Sequence, residues 1–287
     1  MAIDLVEKFL PHVDEQFTTE SKKSLLTNND YSWSGAHTIR VYKVSTSQMN
    51  DYGRGGPADG DWSRFGPVAD LDATTEEFPL SRDRSFTFAI DRLDTDETAQ
   101  QLQAASALAR QNREIVIPEV DAYTYAVMCE NAGHKPAAKA LTAENIYSEV
   151  LAASQALDDA EVPETGRCLV VTPAVYVLLK QCKDIVMETD VGNDLRLKGV
   201  IGILDGMNVL KIPAVRLPAN FGFMAAHPSA TVAPVKLEDF RIHRDPPGIS
   251  GSLVEGRIVY DAFTLDNKRK GIYFQAQPAA SSSGKKA

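Results

Sequence analysis

The chain has 287 residues, of which 44% are hydrophobic and 24% charged, a balance that excludes a disordered chain and fits a folded globular one. Its net charge of −9 argues against general affinity for nucleic acid through phosphate neutralisation, although it leaves room for a local basic patch. No apolar run reaches the ~18 residues that span a bilayer, the start (Asp4, Glu7) lacks a basic-then-apolar leader, and Cys129, Cys168 and Cys182 fit no zinc or redox spacing, so the expectation is a cytoplasmic chain with reduced, buried thiols.

Along the chain, Leu5, Phe9, Val13 and Phe17 recur at four-residue spacing and predict an amphipathic helix interrupted near Pro11. Tyr31 and Trp33 form an aromatic patch that fits either an arm anchored on a body or simple core packing. Residues 38–44 and 85–90 read as strands, joined by a polar loop carrying Gly53, Gly55, Gly56, Pro57, Gly60, Gly66 and Pro67. Two strands in isolation are marginal in water, and a loop of this length is functional or disordered. The arm is therefore expected to lie on another molecule, a second copy of the chain.

A capping-box-like pair, Asp94 and Glu97, opens a helical period that runs to Gly133, roughly 55 Å at ~1.5 Å per residue. Pro118 should kink or interrupt it. Beyond Ala138, Thr142 reads as an N-cap, with Ile146, Val150, Ala153 and Leu157 on one helix face. Cys168–Thr172 reads as a short buried strand, and Thr172-Pro173 as a helix start. Residues 199–212 predict a hairpin turning at Asp205-Gly206, a type I′ signal. Further strands are expected at 221–225, 237–243, 253–265 and 272–275, with Asp245-Pro-Pro-Gly-Ile-Ser-Gly251 as a rigid turn. The tail from Ala279 to Ala287 is small and polar and is expected to be disordered. Intermixed helices and strands predict an α+β fold.

The chemistry-bearing motifs are missing. There is no phosphate-binding loop, dinucleotide fingerprint or nucleophile elbow. His12, His37, His134, His227 and His243 are scattered, and the paired carboxylates Asp59/Asp61, Asp70/Asp72 and Asp190/Asp194 do not match a calcium loop. His227 reads as a loop or core residue. Arg241, His243 and Asp245 alternate along one strand face and read as an ion-pair face. Lys268-Arg269-Lys270 reads as a soluble turn, with contact to an acidic neighbour or nucleic acid as the other reading. No catalytic residue, cofactor site or metal site is expected.

With these pieces in order, the chain resembles the major capsid proteins of tailed bacteriophages, the fold first seen in the Hong Kong phage. The motifs are Asn28-Asn-Asp30 with Trp33, the Tyr42 strand, Asn50-Asp-Tyr52-Gly-Arg54, Arg113 to Asp121, Leu141 to Asn145, and Ala156 to Ala160 with Val162-Pro163. Lys198 to Met207, Ala233 to Glu238 and His243 to Gly256 complete them. The resemblance implies an N-terminal arm at 1–36 and an extended loop at 37–92 lying over a neighbour. It implies a peripheral domain at 93–137 with a spine helix, an axial domain at 138–236, peripheral strands at 237–278 and a flexible tail at 279–287.

It also implies a function: assembly into pentamers and hexamers that form an icosahedral head enclosing double-stranded DNA, in a virion assembled in the host cytoplasm. The implied partners are the chain itself, a scaffolding protein, a portal and in some cases a decoration protein. The short arm that follows Met1 points to a separate scaffold. The loop from Asn50 to Leu80 has no lysine, so covalent crosslinking there is not expected. Trp33, Tyr52, Arg54, Trp62 and Phe65 are the candidate intersubunit contacts, since large aromatics dominate interface energetics. A bacterial nanocompartment shell of the same fold is the related alternative, and a small α+β enzyme is the rival class.

Overall fold

The structure is a computed structural model, and it describes residues 21–28, 38–44, 46–56, 62–67, 70, 73–93, 104–183, 185 and 202–279. The predicted helix over Leu5 to Phe17, the Asp94/Glu97 capping box and the polar tail beyond 279 lie outside them. The chain divides into two units, residues 33–81 and residues 1–32 with 82–287.

The smaller unit is a two-stranded antiparallel ribbon, β1 (Thr38–Val44) against β2 (Ala73–Pro79), in register from Thr38 opposite Pro79 to Val44 opposite Ala73. The partner expected for the first strand was 85–90. That segment instead belongs to β3 (Arg82–Asp91), which pairs with β10 (Gly251–Tyr260) in the larger unit. β2 escaped the sequence reading because its centre is Glu76-Glu77, a residue type depleted in strands.

The larger unit is built on a mixed five-stranded sheet ordered β12-β7-β4-β6-β5. Its strands are β4 (Cys168–Val171), β5 (Ile203–Leu204), β6 (Met207–Lys211), β7 (Phe221–Ala226) and β12 (Ile272–Ala276). β4 runs parallel to β6 and the other neighbours are antiparallel. Strand alternation divides the core into two layers. Leu169, Val171, Phe223 and Ala225 face one helix pair, α3 (Ile146–Asp159) and α4 (Pro173–Gln181), whose Ile146, Val150, Ala153, Leu157, Val175 and Leu179 are fully buried. Cys168, Val170, Met224 and Ala226 face the other way, onto Tyr125, Met128 and Cys129 of α2 (Ile117–Glu130) and onto Leu26. Each such large apolar side chain contributes about 1.5–3 kcal/mol on burial.

Local signals explain the elements. The Thr172 hydroxyl accepts from the Val175 amide at 3.2 Å, capping α4 as expected from Thr172-Pro173. The predicted face of α3 is its buried face, although the capping pair is reciprocal. The Thr142 amide donates to Asn145 Oδ1, and the Ile146 amide donates to the Thr142 carbonyl. The expected turn at Asp205-Gly206 has φ of +48° and +72°, the two positive values that type I′ demands.

The long helix is continuous from α1 (Ala104–Gln111) through a π turn (Asn112–Val116) into α2. The Ile117 amide bonds five residues back, to the Asn112 carbonyl. That wider turn comes immediately before Pro118, which lacks an N–H and sits in the first turn of α2. The missing bond thus falls at a place where the ladder is already re-phased. Gly133 does not stop the helix, which ends at Glu130 with Asn131 as its C-cap. Gly133 instead lets the backbone of Arg269 approach, because a Cβ there would stand 2.6 Å from the Arg269 carbonyl.

The strands expected between 237 and 278 separate into different sheets. β9 (Val235–Arg244), β10 and β3 form an antiparallel three-stranded sheet in the order β3-β10-β9, whereas β12 joins the five-stranded sheet. The predicted single strand 253–265 breaks at Asp261, whose carboxylate accepts from the Ala262 amide and from Tyr123 Oη, both at 2.8 Å. The remainder, β11 (Phe263–Thr264), pairs with β8 (Thr231–Val232). Residues 82–287 together with the N-terminal segment thus form one unit rather than separating at 92, 137 and 236.

Candidate subunit interface

Within the 33–81 unit the loop between β1 and β2 has local structure. The Gly53 amide donates to the Arg64 carbonyl at 2.9 Å, and Asn50 Nδ2 donates to the Phe65 carbonyl at 3.4 Å, so the two sides of the loop meet. Gly66, at φ +88°, closes the return. This brings Tyr52 and Phe65 together edge-to-face, with ring centroids 5.0 Å apart.

The pair is not buried: Tyr52 is 52% exposed, Phe65 76%, Trp62 84% and Met49 99%. Arg54 lies in an exposed turn. Trp33 falls outside the described residues. The loop therefore assembles two of the five candidate contacts, Tyr52 and Phe65, and keeps Trp62 and Arg54 exposed. Met49 was missed by sequence reasoning. Its signal, a lone large apolar residue in a polar stretch, is weak.

The larger unit carries a polar network where the long helix crosses the three-stranded sheet. Val116 and Val120 pack on Ile258 and Tyr260. Around them the Arg82 guanidinium lies 4.6 Å from the Tyr123 ring centroid, Arg84 pairs with Glu119 at 2.7 Å, and Tyr260 Oη donates to Glu119 at 3.3 Å. Burial, with the field and hydrogen bond of Glu119, pushes the Tyr260 phenol up to about 12, so it remains a neutral donor.

On the opposite, exposed face of the sheet run the ion pairs Arg257–Asp83 at 2.5 Å, Arg241–Asp239 at 2.7 Å and His243–Glu255 at 3.3 Å. The face expected from Arg241 and His243 is thus an ion-pair face. Asp245 differs, since its carboxylate accepts from the Gly251 amide at 3.0 Å and closes the rigid turn.

Two buried arginines were not singled out from the sequence. Arg216, 4% exposed, pairs with Asp121, 2% exposed, at 2.9 Å, and Ser21 Oγ donates to the same carboxylate at 2.6 Å. Arg167 binds Asp158 at 2.7 Å and the Pro163 carbonyl at 2.9 Å beside the end of α3. His227 is a turn residue. The Ser229 amide donates to its Nδ1 at 3.2 Å, and its Nε2 lies 3.2 Å from the Thr165 carbonyl, the pattern of a neutral Nε2–H imidazole.

Among the described residues no group of three or more His, Cys, Asp or Glu side chains is placed to hold a metal ion. Among them no helix is long and apolar enough to cross a membrane.

No protein-family model matches the chain, and no curated protein matches it in sequence. Solved structures match its fold. A structure from Mycobacterium phage Che8 aligns over 96% of this chain and 100% of its own, with a TM-score of 0.73 and 18% identity. The capsid of Cyanophage P-SCSP1u aligns over 96% and 93%, with a TM-score of 0.76 and 13% identity. A virus-like particle from Pyrococcus furiosus aligns over 89% and 92%, with a TM-score of 0.56 and 12% identity. The chain therefore has the α+β fold of the tailed-phage capsids, over nearly its whole length.

Proposed function

We propose that this chain is a major capsid protein that assembles into pentamers and hexamers of an icosahedral head enclosing double-stranded DNA. The observation that carries the reading is the 33–81 unit: in a chain with a capsid fold, it is a compact piece of its own that leaves Met49, Tyr52, Trp62 and Phe65 in water. Clustered exposed apolar side chains of this kind mark an interaction surface. In this reading residues 33–81 lie over a neighbouring subunit. Tyr52, Trp62 and Phe65 are the buried anchors, and Arg54 and Trp33 are flanking contacts. The partners are other copies of the chain, a separate scaffolding protein, a portal and, in some heads, a decoration protein.

The test is negative-stain electron microscopy of the purified protein beside a variant lacking residues 51–72. The expected result is closed shells for the parent. The variant should give none while keeping the circular dichroism of a folded protein. Normal particles from the deletion variant would overturn the arm's role, and dispersed monomers from the parent in the presence of its scaffold would overturn the shell reading.

The likeness to the Pyrococcus furiosus virus-like particle motivates a second reading, a nanocompartment shell of the same fold, with less support because its TM-score is lower. Nuclease-protected DNA inside particles supports the head; a protein cargo supports the compartment.

A further inference from the structure

The chain is acidic overall, with 30 lysines and arginines against 39 aspartates and glutamates. Three of its lysines nevertheless converge around one aromatic ring. The Lys180 ammonium lies 5.1 Å from the centroid of Tyr176, and the Lys211 ammonium lies 5.3 Å from the same centroid. The Lys22 ammonium donates to the Lys211 backbone carbonyl at 3.3 Å.

These groups come from three distant stretches, and the fold brings them together. Parallel pairing sets Val171 of β4 opposite Lys211 at the end of β6. The chain then enters α4 at its Thr172 cap, and α4 presents Tyr176 and Lys180 one turn apart on one face. Segment 21–28 is fixed beside them by the buried Leu26 and by the bond from the Asn28 amide to the Thr231 carbonyl, 2.8 Å long. Lys183, exposed, follows one turn after Lys180.

Like charges gathered this closely repel one another. The face of the tyrosine ring offsets part of that repulsion, and an arriving anion offsets more. We infer that Lys22, Lys180 and Lys211, with Lys183 at the edge, form a sequence-independent contact for the phosphates of duplex DNA. The choice of ligand rests on the shell reading, in which an enclosed duplex is the polyanion the subunit meets.

The chemistry of the cluster agrees with that ligand. Lysine is a compact point charge without the fork that reads guanine edges, so a lysine cluster positions phosphates and selects no sequence. Tyr176 is half-buried and carries two ammonium groups, which leaves no apolar slot of the kind that anchors an acidic peptide.

The test uses the full-length, unassembled protein and a short fluorescein-labelled duplex of arbitrary sequence, titrated by fluorescence anisotropy across a salt series. The parent binds at low salt. In Lys22→Gln/Lys180→Gln/Lys211→Gln the slope of log affinity against log salt becomes shallower by roughly 0.9 per lysine, roughly 2.7 in all. The corresponding triple Lys→Arg variant keeps the parental slope. So does Lys268→Gln/Lys270→Gln, which removes as exposed a pair of charges elsewhere.

Absence of duplex binding by the parent at low salt, an unchanged slope in the triple Gln variant, or an equal loss in the Lys268/Lys270 control overturns the inference. Polyglutamate bound more tightly than the duplex at equal charge assigns the cluster to an acidic protein and also overturns it. If circular dichroism shows the triple variant unfolded, Lys211→Glu, at an exposed strand end, replaces it and must weaken duplex binding. Negative stain of the same preparations separates the two questions. Failure of the parent to form shells counts against the shell reading, whereas shells from a parent that fails the duplex titration count only against the DNA contact.

Discussion

Asp121→Ala is the most informative single perturbation of the larger unit. The Asp121 carboxylate, 2% exposed, accepts from Arg216 Nη1 at 2.9 Å and from Ser21 Oγ at 2.6 Å, while the Arg216 side chain is itself only 4% exposed. Removing the anion leaves a guanidinium buried without its counter-charge, which costs about 3–5 kcal/mol. Burial already holds the Lys23 ammonium below its ordinary value, opposed by the fields of Asp121 and Glu238, so the substitution also strips support from a second cation. For a folding unit of this size each kcal/mol moves the melting temperature by about 2–4 °C, so the midpoint should fall by roughly 6–20 °C.

The assay is thermal circular dichroism of the unassembled protein at neutral pH, together with limited trypsin digestion. Loss of the Ser21 bond should open the Lys22–Lys23 stretch to cleavage. The double variant Asp121→Leu/Arg216→Met should recover most of the loss, because an apolar pair carries no desolvation cost. A single-variant loss below about 1 kcal/mol would mean that the pair behaves as a solvated surface bridge. A double variant as unstable as the single would show that the cost lies in packing rather than charge.

Three further outcomes are expected. Gly256→Val in β10 should cost about 1–3 kcal/mol in urea denaturation, because a Cβ there would stand 2.4 Å from the Phe86 ring and 2.8 Å from Phe240, which flank it from both neighbouring strands. Unchanged stability would remove those rings from over the glycine. Gly206→Val should cost about 1–2 kcal/mol at φ +72°, with Gly206→Asn markedly milder; equal costs for the two would refute the turn type. Burial chiefly holds the His227 imidazole below its ordinary value, opposed by its bond to the Thr165 carbonyl and reinforced by Arg167 and Lys268. The unfolded chain then binds the proton first, so stability is full above pH ~6.5 and declines as pH falls toward the folded-state value. His227→Gln should flatten that decline, which a melting series from pH 8 to pH ~5 measures.

Much of the fold was legible because its signals are local. The Thr172-Pro173 start, the Asp205-Gly206 turn and the 3.6-residue stripe of Ile146, Val150, Ala153 and Leu157 each depend on a few neighbouring residues, and each appears where expected. The exposed state of Tyr52, Trp62 and Phe65 was also foreseeable, since a Gly- and Pro-rich loop offers no core to bury them.

Strand partnership was not legible. The alternation of Phe86, Phe88 and Ile90 marks a half-buried strand but does not say which strand it faces, and β3 proved to pair with β10, more than 150 residues away along the chain, with β1 taking β2 instead. Likewise Pro118 announced a disturbance of the helix, yet whether it became a kink or a π turn depended on how Val116 and Val120 seat on the sheet.

What the sequence by itself determined is the inventory: an α+β set of elements with their caps and turns, an acidic chain, and an arm unable to bury its own aromatics. What only the tertiary structure decided is which distant residues meet. The Asp121–Arg216 pair, the Gly256 gap beneath two phenylalanines and the lysines around Tyr176 all join residues far apart in the chain. Composition and periodicity record how each segment prefers to fold. Burial and charge pairing are set by the partners that non-local packing supplies, and a single sequence does not print those partners side by side.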